Sequence, residues 1–533
     1  MLSLASSIGL AGLVIACWLL TIAILHVIHN LFFHPLSKYP GPRLAAITPL
    51  VHHYHFVAGD AVVWLDRLHK KYGEVVRIEP GRLSYIATQA WKDIYGHATA
   101  TRKANSKEGK NSKNLFSNGT YSISSAHGPE HQRLRKIFSS AFSDRAITKQ
   151  EPMLLLYTRQ LVDLVHRKIA EVGSSADSVI LDAVSLFNFA TFDIMADLAF
   201  GESLGCLEKG GSNAWVDAVQ VNFKSMIVKA RLRPYPALLY AWQMFQPAQD
   251  KKAAALHVQS SHDRVTKRLE KGPDARDDIW GLVLRAERPN ALTRTEMNNN
   301  ANNFMIVGTE TSATALSALT YLLVKNPEKL QRLVKEVRSV DGTGQLKGDV
   351  VRDMSYLQAC LSECLRLHPP VPTGGTRVIG QDGNTILGQF VPEEVGSVAL
   401  CLLRPCSQSD SWVIPLLIVT RLSIATWTAF RSPIYWKDGD KFVPERWIPG
   451  ERGYEEYHAY DKQSVFQVFG TGPRACIGKN LAYQEMRLLY ANFLYNFDIE
   501  LCPESDGWME TQKCWTLWFK DQLRIRVSAR KAD

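Results

Sequence analysis

The sequence lacks a cysteine framework, an internal repeat and any Pro/Gly/Ser-rich linker after residue 45. Its 9 cysteines among 533 residues are an odd number at irregular spacings. This argues for reduced thiols facing the cytosol. The missing linker favours one large domain, residues 46–533. The Lys and Arg residues behind the net charge of +10 are scattered rather than gathered in a tract, so we expect no nucleic-acid partner but acidic partners or an anionic membrane surface.

Charge is also missing from the amino terminus. No Asp, Glu, Lys or Arg precedes Lys38, and Ile8–Ile28 is almost wholly apolar. As a helix this run rises about 31 Å, enough to cross a bilayer core. A cleaved signal peptide is the alternative, but it would need a basic start and a shorter apolar run. We expect residues 1–30 to be a single-pass anchor and residues 31–45 a Pro-rich hinge, with the following chain cytosolic.

Apolar residues at three- and four-residue spacing predict that most of the remaining chain is helical. The clearest such segments are Met153–Val172, Val184–Phe200, Asn213–Ala230 and Ala253–Glu270. Segments typical of strands are few and short: Val75–Glu79, Ser84–Ala87, Thr376–Ile379 and Ile386–Phe390. The predicted fold class is therefore mainly α with small β-sheets.

The longest predicted helix begins after a capping box formed by Thr293 and Glu296, and it ends at Lys325 before Asn326-Pro327. Its first half holds five asparagines, which are mediocre helix formers. Solvated polar surface is the simplest interpretation for most of them. Asn300 differs, because it lies about three turns before Thr311 and shares its face.

The strongest motif is Phe469-Gly470-Thr471-Gly472-Pro473-Arg474-Ala475-Cys476-Ile477-Gly478. Its glycines and proline predict a tight loop that opens into a helix at about Gly478. Cys476 then lies at a helix amino terminus, where the dipole and free N–H groups stabilise a thiolate. Such a thiolate can bind iron. A buried structural cysteine is the alternative.

At these residues the chain resembles the cytochrome P450 family, from about residue 30 to residue 528. The resemblance implies a P450 fold behind the membrane helix, haem b as cofactor and Cys476 as the axial ligand of its iron. It also implies that Phe469 packs against the sulfur side of the haem. The family positions that bind the haem propionates are held by Arg474, Arg377, His131 and Arg135. His131 replaces the family's Trp, and an exposed histidine is the alternative there.

Two further motifs follow the family's order. Glu363 and Arg366 share a helix face, and the resemblance adds Arg446 of Pro444-Glu445-Arg446-Trp447 to complete a buried structural charge triad. In the long helix Glu310 and Thr311 match the acid and alcohol that relay protons, at a point where the family's helix is locally distorted. Val307 stands where the family more often has Ala.

These features imply a monooxygenase that inserts one oxygen atom from O₂ into an apolar small molecule. No flavin or nicotinamide module fits in the remaining length. Electrons are therefore expected from a separate NADPH–cytochrome P450 reductase, with cytochrome b5 as an accessory donor, at the endoplasmic reticulum membrane. Residues around the anchor and the cysteine loop look most like fungal secondary-metabolism members of the isotrichodermin 15-hydroxylase type. The expected pocket residues are Phe116, Asn300, Phe304, Val307 and Thr373.

Residues 395–419 depart from the family pattern, because joining Glu394 to Thr420 restores a continuous family-like run. One explanation is a real apolar surface loop that extends the membrane contact. The favoured explanation is a retained intron. The segment begins with valine, and every valine codon starts with GT, the dinucleotide at an intron's donor site. The length of the segment is also that of a small intron. The alternatives to hydroxylation or epoxidation are a P450-fold isomerase, dehydratase or ring-closing oxidase, or a haem-binding protein that this insertion makes inactive.

Overall fold

A computed structural model describes residues 2–99, 102–107, 120–173, 177–233, 235–286, 292–340, 345–380, 382–395 and 418–530. Within these ranges the chain divides into two compact units. The first unit holds residues 1–112, 373–429 and 471–473, and the second holds residues 113–372, 430–470 and 474–533. Their segments alternate along the sequence. No single linker therefore marks the division, which is why the sequence predicts one domain.

Helices dominate the described chain. In chain order they are α1 (Leu2–Ile28), α2 (Arg43–Ile47), α3 (Leu50–Ala58), α4 (Ala61–Tyr72), α5 (Thr88–Tyr95), α6 (Gly128–Ser139), α7 (Asp144–Val172), α8 (Ala183–Phe200), α9 (Cys206–Lys209), α10 (Ala214–Leu232), α11 (Pro236–Phe245), α12 (Ala248–Glu270), α13 (Ile279–Ala286), α14 (Arg294–Val324), α15 (Pro327–Arg338), α16 (Gly348–Asp353), α17 (Ser355–Leu367), α18 (Thr426–Arg431), α19 (Tyr454–Tyr460) and α20 (Lys479–Asn496).

The strands are short and form small sheets. They are β1 (Val75–Glu79), β2 (Arg82–Tyr85), β3 (Ser178–Asp182), β4 (Arg377–Val378), β5 (Asn384–Ile386), β6 (Gln389–Val391), β7 (Glu394–Val395), β8 (Ile418–Val419), β9 (Arg421–Ile424), β10 (Phe497–Leu501), β11 (Lys513–Trp515), β12 (Leu517–Phe519) and β13 (Arg524–Ala529). The prediction of a mainly α fold with small sheets is confirmed.

The first unit contains the apolar amino-terminal helix. α1 continues as a π-helix over His29–Phe33. Within it, Gly12–Phe33 has a mean hydropathy of 2.2 and none of its window is buried. Among the described residues one other helix is long and apolar enough to span a membrane, Ala183–Phe200, but it is 89% buried and is therefore a core helix. By length and composition, the anchor prediction falls on Gly12–Phe33.

The predicted hinge is attached to the first unit's sheet through Arg77. The backbone N–H of Arg77 donates to Pro40 O at 2.8 Å, and its buried guanidinium donates to Asn30 O at 2.8 Å. A Cβ at Gly41 would overlap the carbonyl group of Arg77, so only glycine allows this approach. Pro40 and Gly41 of the predicted hinge are thus packed against β1.

The sheet of the first unit has the order β1-β2-β9-β4. β2 and β9 are parallel, and the other neighbouring pairs are antiparallel. The single strand predicted over Ile386–Phe390 is wrong. Leu387 and Gly388 have φ values of 52° and 74°, so the chain reverses there and β5 pairs with β6 as a hairpin.

The second unit is built around α14. Thr293 caps this helix, and both hydrogen bonds of the predicted capping box with Glu296 are present. Helix α8 packs so closely against α14 that a Cβ at Gly308 would overlap the side chain of Met195. Nearly all side chains of α8 are buried. β10, β13 and β3 form an antiparallel sheet in this unit, and β11 and β12 form a hairpin.

Candidate active site

The loop before α20 places Cys476 near the helix amino terminus. Gly470 and Gly472 have φ values of 71° and 75°. Residues that carry a Cβ rarely adopt this left-handed conformation, whereas glycine adopts it readily. The backbone N–H of Cys476 donates to Phe469 O at 2.7 Å. α20 begins at Lys479, one residue after the predicted start. The Phe469 ring packs against Tyr483 of α20, with ring centroids 5.1 Å apart.

The Cys476 side chain is solvent-accessible, yet the surrounding protein desolvates the thiol. Burial raises the pKa of this thiol, whereas the Gly478 backbone N–H and the charges of Arg135 and Lys479 lower it. The net direction is upward, because burial outweighs these three contributions. The Gly478 N–H acts in the predicted direction, toward the thiolate. A metal ion deprotonates a thiol that it binds. An accessible thiol with N–H and cationic neighbours therefore fits the position of a haem-iron ligand.

Two of the arginines predicted near the haem lie close to Cys476 in the second unit. Arg474 donates to Ala126 O, and Arg135 donates to Ala475 O at 2.6 Å. His131 is 6% exposed, so the alternative of an exposed histidine is wrong. These side chains fit a group with two carboxylates, because buried carboxylates need cationic or hydrogen-bonding partners.

Two further predicted residues are described in the other unit. Arg377 and Thr373 belong to the first unit. There Arg377 lies over the Tyr95 ring at 4.7 Å from its centroid, and burial lowers the pKa of its guanidinium. Phe116 lies outside the described residues.

The centre of α14 presents an open face. Val307 is 44% exposed although most of the helix around it is buried, and Thr311, one turn later, is partly exposed. α14 continues as a helix through these residues, and the local distortion implied by the resemblance stays a prediction. The hydroxyl of Thr311 donates to Val307 O at 2.8 Å. This hydroxyl is therefore bonded to a backbone carbonyl of the same helix.

The interpretation of most α14 asparagines as solvated surface is wrong for Asn299, Asn302 and Asn303, which are buried. Asn300 is 0% exposed. It accepts a hydrogen bond from Ile123 N at 2.8 Å and donates one to Glu296 O at 2.8 Å. Its amide therefore ties the chain before α6 to α14, and tertiary contacts hold this helix as its low propensity requires.

Phe304 is 4% exposed and its ring packs edge-on against Phe138, with centroids 5.1 Å apart. Phe304 and Asn300 therefore lie behind the surface formed by Val307. The prediction that both contact a substrate is not supported by their positions, because neighbouring side chains cover them. The spacing that predicts a shared helix face does not show what covers the first turns of that face.

The predicted charge triad is assembled at the end of α17. Glu363 and Arg366 form an ion pair at 2.8 Å, and Arg446 lies 3.1 Å from the same carboxylate. All three side chains are 0% exposed. Sequence reasoning missed Asp461, whose carboxylate pairs with Arg446, and Trp447, whose indole N–H donates to Glu363 at 2.9 Å. No motif links Asp461 to the other members, so only the fold shows it.

A second charged cluster involves Glu310 and was not predicted. Lys520, which follows β12, places its ammonium 2.9 Å from the Glu310 carboxylate and 2.9 Å from the Thr314 hydroxyl. The side chains of Lys520 and Glu310 are 2% and 8% exposed. Both line a cavity of about 240 Å³. Nothing in the sequence around Lys520 distinguishes it from a surface lysine.

Glu485 on α20 is also buried, and Ser312 of α14 donates a hydrogen bond of 2.9 Å to it. Burial raises the pKa of the Glu485 carboxyl to about 8, and the Ser312 hydrogen bond lowers it by less. The folded protein therefore keeps this proton at neutral pH, whereas an unfolded Glu has lost it.

Glu485 is expected to make the folded protein less stable as pH rises. Its pKa is raised in the folded state, so the folded state binds more protons than the unfolded state between the two pKa values, and the free energy of unfolding falls with pH up to about 8. Relative to Glu485→Gln, the wild-type protein should lose about 5 kcal/mol across this window. Urea unfolding at several pH values measures the difference. Glu500→Gln, at an exposed position on β10, should show no such trend, and a pH-independent difference for Glu485→Gln would contradict the assignment.

The comparisons with known proteins agree with this geometry. The cytochrome P450 family matches residues 41–402 and 419–523. The chain is 41% identical over 511 residues to cytochrome P450 monooxygenase FUM2 of Gibberella moniliformis, with 94% of this chain and 100% of the relative covered. It is 38% identical over 504 residues to cytochrome P450 monooxygenase AMT3 of Alternaria alternata, with 94% and 96% covered.

A third relative, cytochrome P450 monooxygenase efuB of Hormonema carpetanum, is 37% identical over 510 residues, with 95% of this chain and 94% of the relative covered. The family match leaves out residues 403–418, which lie inside the segment that departs from the family pattern. The family brings haem as its cofactor and typically a reductase as its electron donor. On the family match and these relatives, the chain belongs to the cytochrome P450 family and is a P450 monooxygenase.

Proposed function

We propose that this protein hydroxylates or epoxidises an apolar secondary metabolite, with Cys476 as the axial ligand of its haem iron. One atom of O₂ enters the substrate and the other leaves as water, with two electrons from NADPH and two protons from solvent. The observation that carries the proposal is the accessible thiol of Cys476 at the start of α20, between a backbone N–H and cationic side chains. Haem bound there supplies the oxygen chemistry at its iron.

The residues of the second unit have separable roles in this proposal. Arg474 and Arg135 would hold the haem carboxylates, because Arg474 belongs to the Cys476 loop and Arg135 contacts it. His131, buried one turn before Arg135 on α6, stays a predicted third partner. Thr311 would pass a proton from Glu310 to the open face of α14. Phe469 would support the haem on its sulfur side, because the Phe469 ring packs on the helix that follows Cys476. Arg377 of the first unit stays a predicted propionate partner.

The substrate class rests on resemblance and on one exposed side chain. Val307 is a larger residue than the family's usual Ala and stands 44% exposed on α14, so it should narrow the space above the iron. Thr373 and Phe116 stay predicted pocket residues, while Asn300 and Phe304 would support the wall from behind. The isotrichodermin 15-hydroxylase type suggests a terpenoid, polyketide or peptide-derived substrate.

The decisive test of the proposed function is product analysis with isotopically labelled O₂. Purified protein, NADPH–cytochrome P450 reductase and NADPH are incubated with metabolites of a strain in which the gene is deleted. A product carrying one labelled atom supports a monooxygenase. NADPH consumption with an unlabelled rearranged product points instead to an isomerase, dehydratase or ring-closing oxidase.

Residues 395–419 bear on whether the chain as written is active. The family match omits 403–418, and most of the segment lies outside the described residues. We propose that the segment is a retained intron. A transcript that keeps these codons in every copy would contradict this. The carbon monoxide difference spectrum of the reduced protein, with and without the segment, tests whether it produces an inactive haem protein.

We also propose a single-pass location in the endoplasmic reticulum membrane, with reductase and cytochrome b5 as cytosolic-face partners. The support is the exposed apolar span Gly12–Phe33. Deleting residues 2–25, which spares the contact of Asn30 with Arg77, should move the protein out of the carbonate-resistant membrane fraction. The full-length chain is the control. A truncated protein that still resists carbonate extraction would show that the span is not the main anchor.

A further inference from the structure

Three neighbouring asparagines of α14, the asparagine row, each form a side-chain hydrogen bond to the chain that leads into α6. The bonded pairs are Asn299 with Thr120, Asn300 with Ile123 and Asn303 with Ser124. Residues 120–126, the lead-in segment, run as turns and irregular chain toward α6. All three asparagines are buried, so their amides take the place of water as partners for the polar groups of this segment.

The end of the lead-in segment contacts the Cys476 loop. Arg474, two residues before Cys476, donates a hydrogen bond to the carbonyl oxygen of Ala126. Ala126 is 0% exposed, and Ile123, three residues earlier, is 7% exposed. The backbone N–H of Ala126 donates to Ser122 O at 2.8 Å, so the segment forms a turn of its own between its two contacts. One short stretch of chain therefore joins α14 to Arg474.

Arg474 is the residue at which this connection meets the cofactor site, because the proposed function assigns it a haem carboxylate. A guanidinium is planar and carries five N–H donors in fixed directions. A bond from one of them to Ala126 O therefore sets where the others point. A carboxylate is bound best when two such donors reach it together, so the position of Ala126 decides how well Arg474 can bind one.

We propose that the asparagine row positions Arg474 for haem retention, by holding the lead-in segment whose Ala126 carbonyl orients the guanidinium. This inference rests on the proposed function, which places Arg474 at a haem carboxylate. When a hydrogen bond of the row is lost, the segment is less firmly held, and Arg474 is oriented less well. The same role accounts for a run of asparagines in a helix, because their bonds to the segment offset their low helix propensity.

The first test measures haem release from the holoenzyme to an excess of apomyoglobin, which needs no turnover. Asn300→Leu keeps the branched shape of the side chain but removes the acceptor of the Ile123 N–H, and it should raise the release rate about tenfold. Asn492→Leu is the matched control. Asn492 likewise accepts a backbone N–H, from Leu346 at 2.7 Å, and donates to Leu488 O at 2.9 Å, but it does not bind the lead-in segment. A release rate in Asn300→Leu no higher than in this control overturns the proposal.

The second test determines whether the row acts through Arg474. When Asn300→Leu is added to Arg474→Met, it should raise the release rate less than about twofold, because the residue that it positions is already gone. The same factor in both backgrounds would show a general structural effect and overturns the positioning role. Wild-type release in Arg474→Met would instead contradict the proposed contact of Arg474 with the haem.

A milder variant covers the case in which Asn300→Leu does not fold. Ser124→Ala removes the hydroxyl that donates to Asn303, and it should raise haem release about threefold in the wild-type background but not in Arg474→Met. Wild-type release in Ser124→Ala overturns the role of the row at this position. Labelled oxygen missing from the product would refute the monooxygenase function, and the haem-release results would still stand.

Discussion

Replacing Cys476 by alanine is expected to abolish turnover and to remove the thiolate-ligated absorption of the reduced carbon monoxide complex. Alanine has no atom that can bind iron, and only a thiolate donates the electron density that favours O–O cleavage. The loop itself should survive, because its closing hydrogen bond joins the backbone N–H of residue 476 to Phe469 O. Visible spectra and product formation measure the effect.

The control for this change is another cysteine. Cys502→Ala alters a buried thiol at the end of β10, away from the Phe469–Gly478 loop in the sequence, and it should keep both the spectrum and the product. An unchanged spectrum with full turnover in Cys476→Ala would contradict the assignment of the axial ligand and the proposed chemistry with it.

Replacing Glu363 by glutamine is expected to cost about 3–5 kcal/mol of folding free energy, because it strands the buried charge of Arg366. Glu363 and Arg366 are 0% exposed, and Arg366 forms its ion pair with Glu363. Arg446 keeps Asp461 as a second carboxylate partner. The loss is comparable to the whole stability of many domains. Thermal unfolding, or the yield of folded protein where the variant does not accumulate, measures the change.

Asp506→Asn is the matched control for the change in the charge triad. Asp506 pairs with Lys325 at the surface, where solvent and salt screen the interaction, so the unfolding midpoint should not change. A Glu363→Gln protein that unfolds at the wild-type midpoint would show that the triad does not stabilise the fold. The triad lies outside the catalytic relay. Triad variants that still fold in part should therefore be less stable, while the folded fraction keeps its specific activity.

Local patterns predicted the helices well. α14 begins and ends within one residue of its prediction, because a capping box and an Asn-Pro pair act through neighbouring backbone groups. α20 begins one residue after its predicted start for the same reason, since loop glycines determine where the helix can start. The failure at Ile386–Phe390 has a local cause as well: Leu387 adopts a positive φ that its side chain gives no reason to expect.

Burial was predicted less well, because it depends on residues that are distant in sequence. Most asparagines of α14 were interpreted as polar surface, yet Asn299 bonds to Thr120 and Asn303 to Ser124. Spacing placed Asn300, Phe304, Val307 and Thr311 on one face, but it could not show that aromatic side chains of α6 and its neighbourhood cover the first part of that face. His131 is buried for the same kind of reason.

The sequence by itself determined the family, the cysteine at a helix start, the apolar amino-terminal span and the order of the charged motifs, because these depend on short segments whose chemistry is read along the chain. Only the tertiary structure decided that Lys520 faces Glu310 across 2.9 Å, that Asp461 joins Arg446, and that Glu485 is buried beside Ser312. Each of these pairs joins separate elements. Their polar and charged groups interact through space after folding has excluded water, and no local pattern records that proximity.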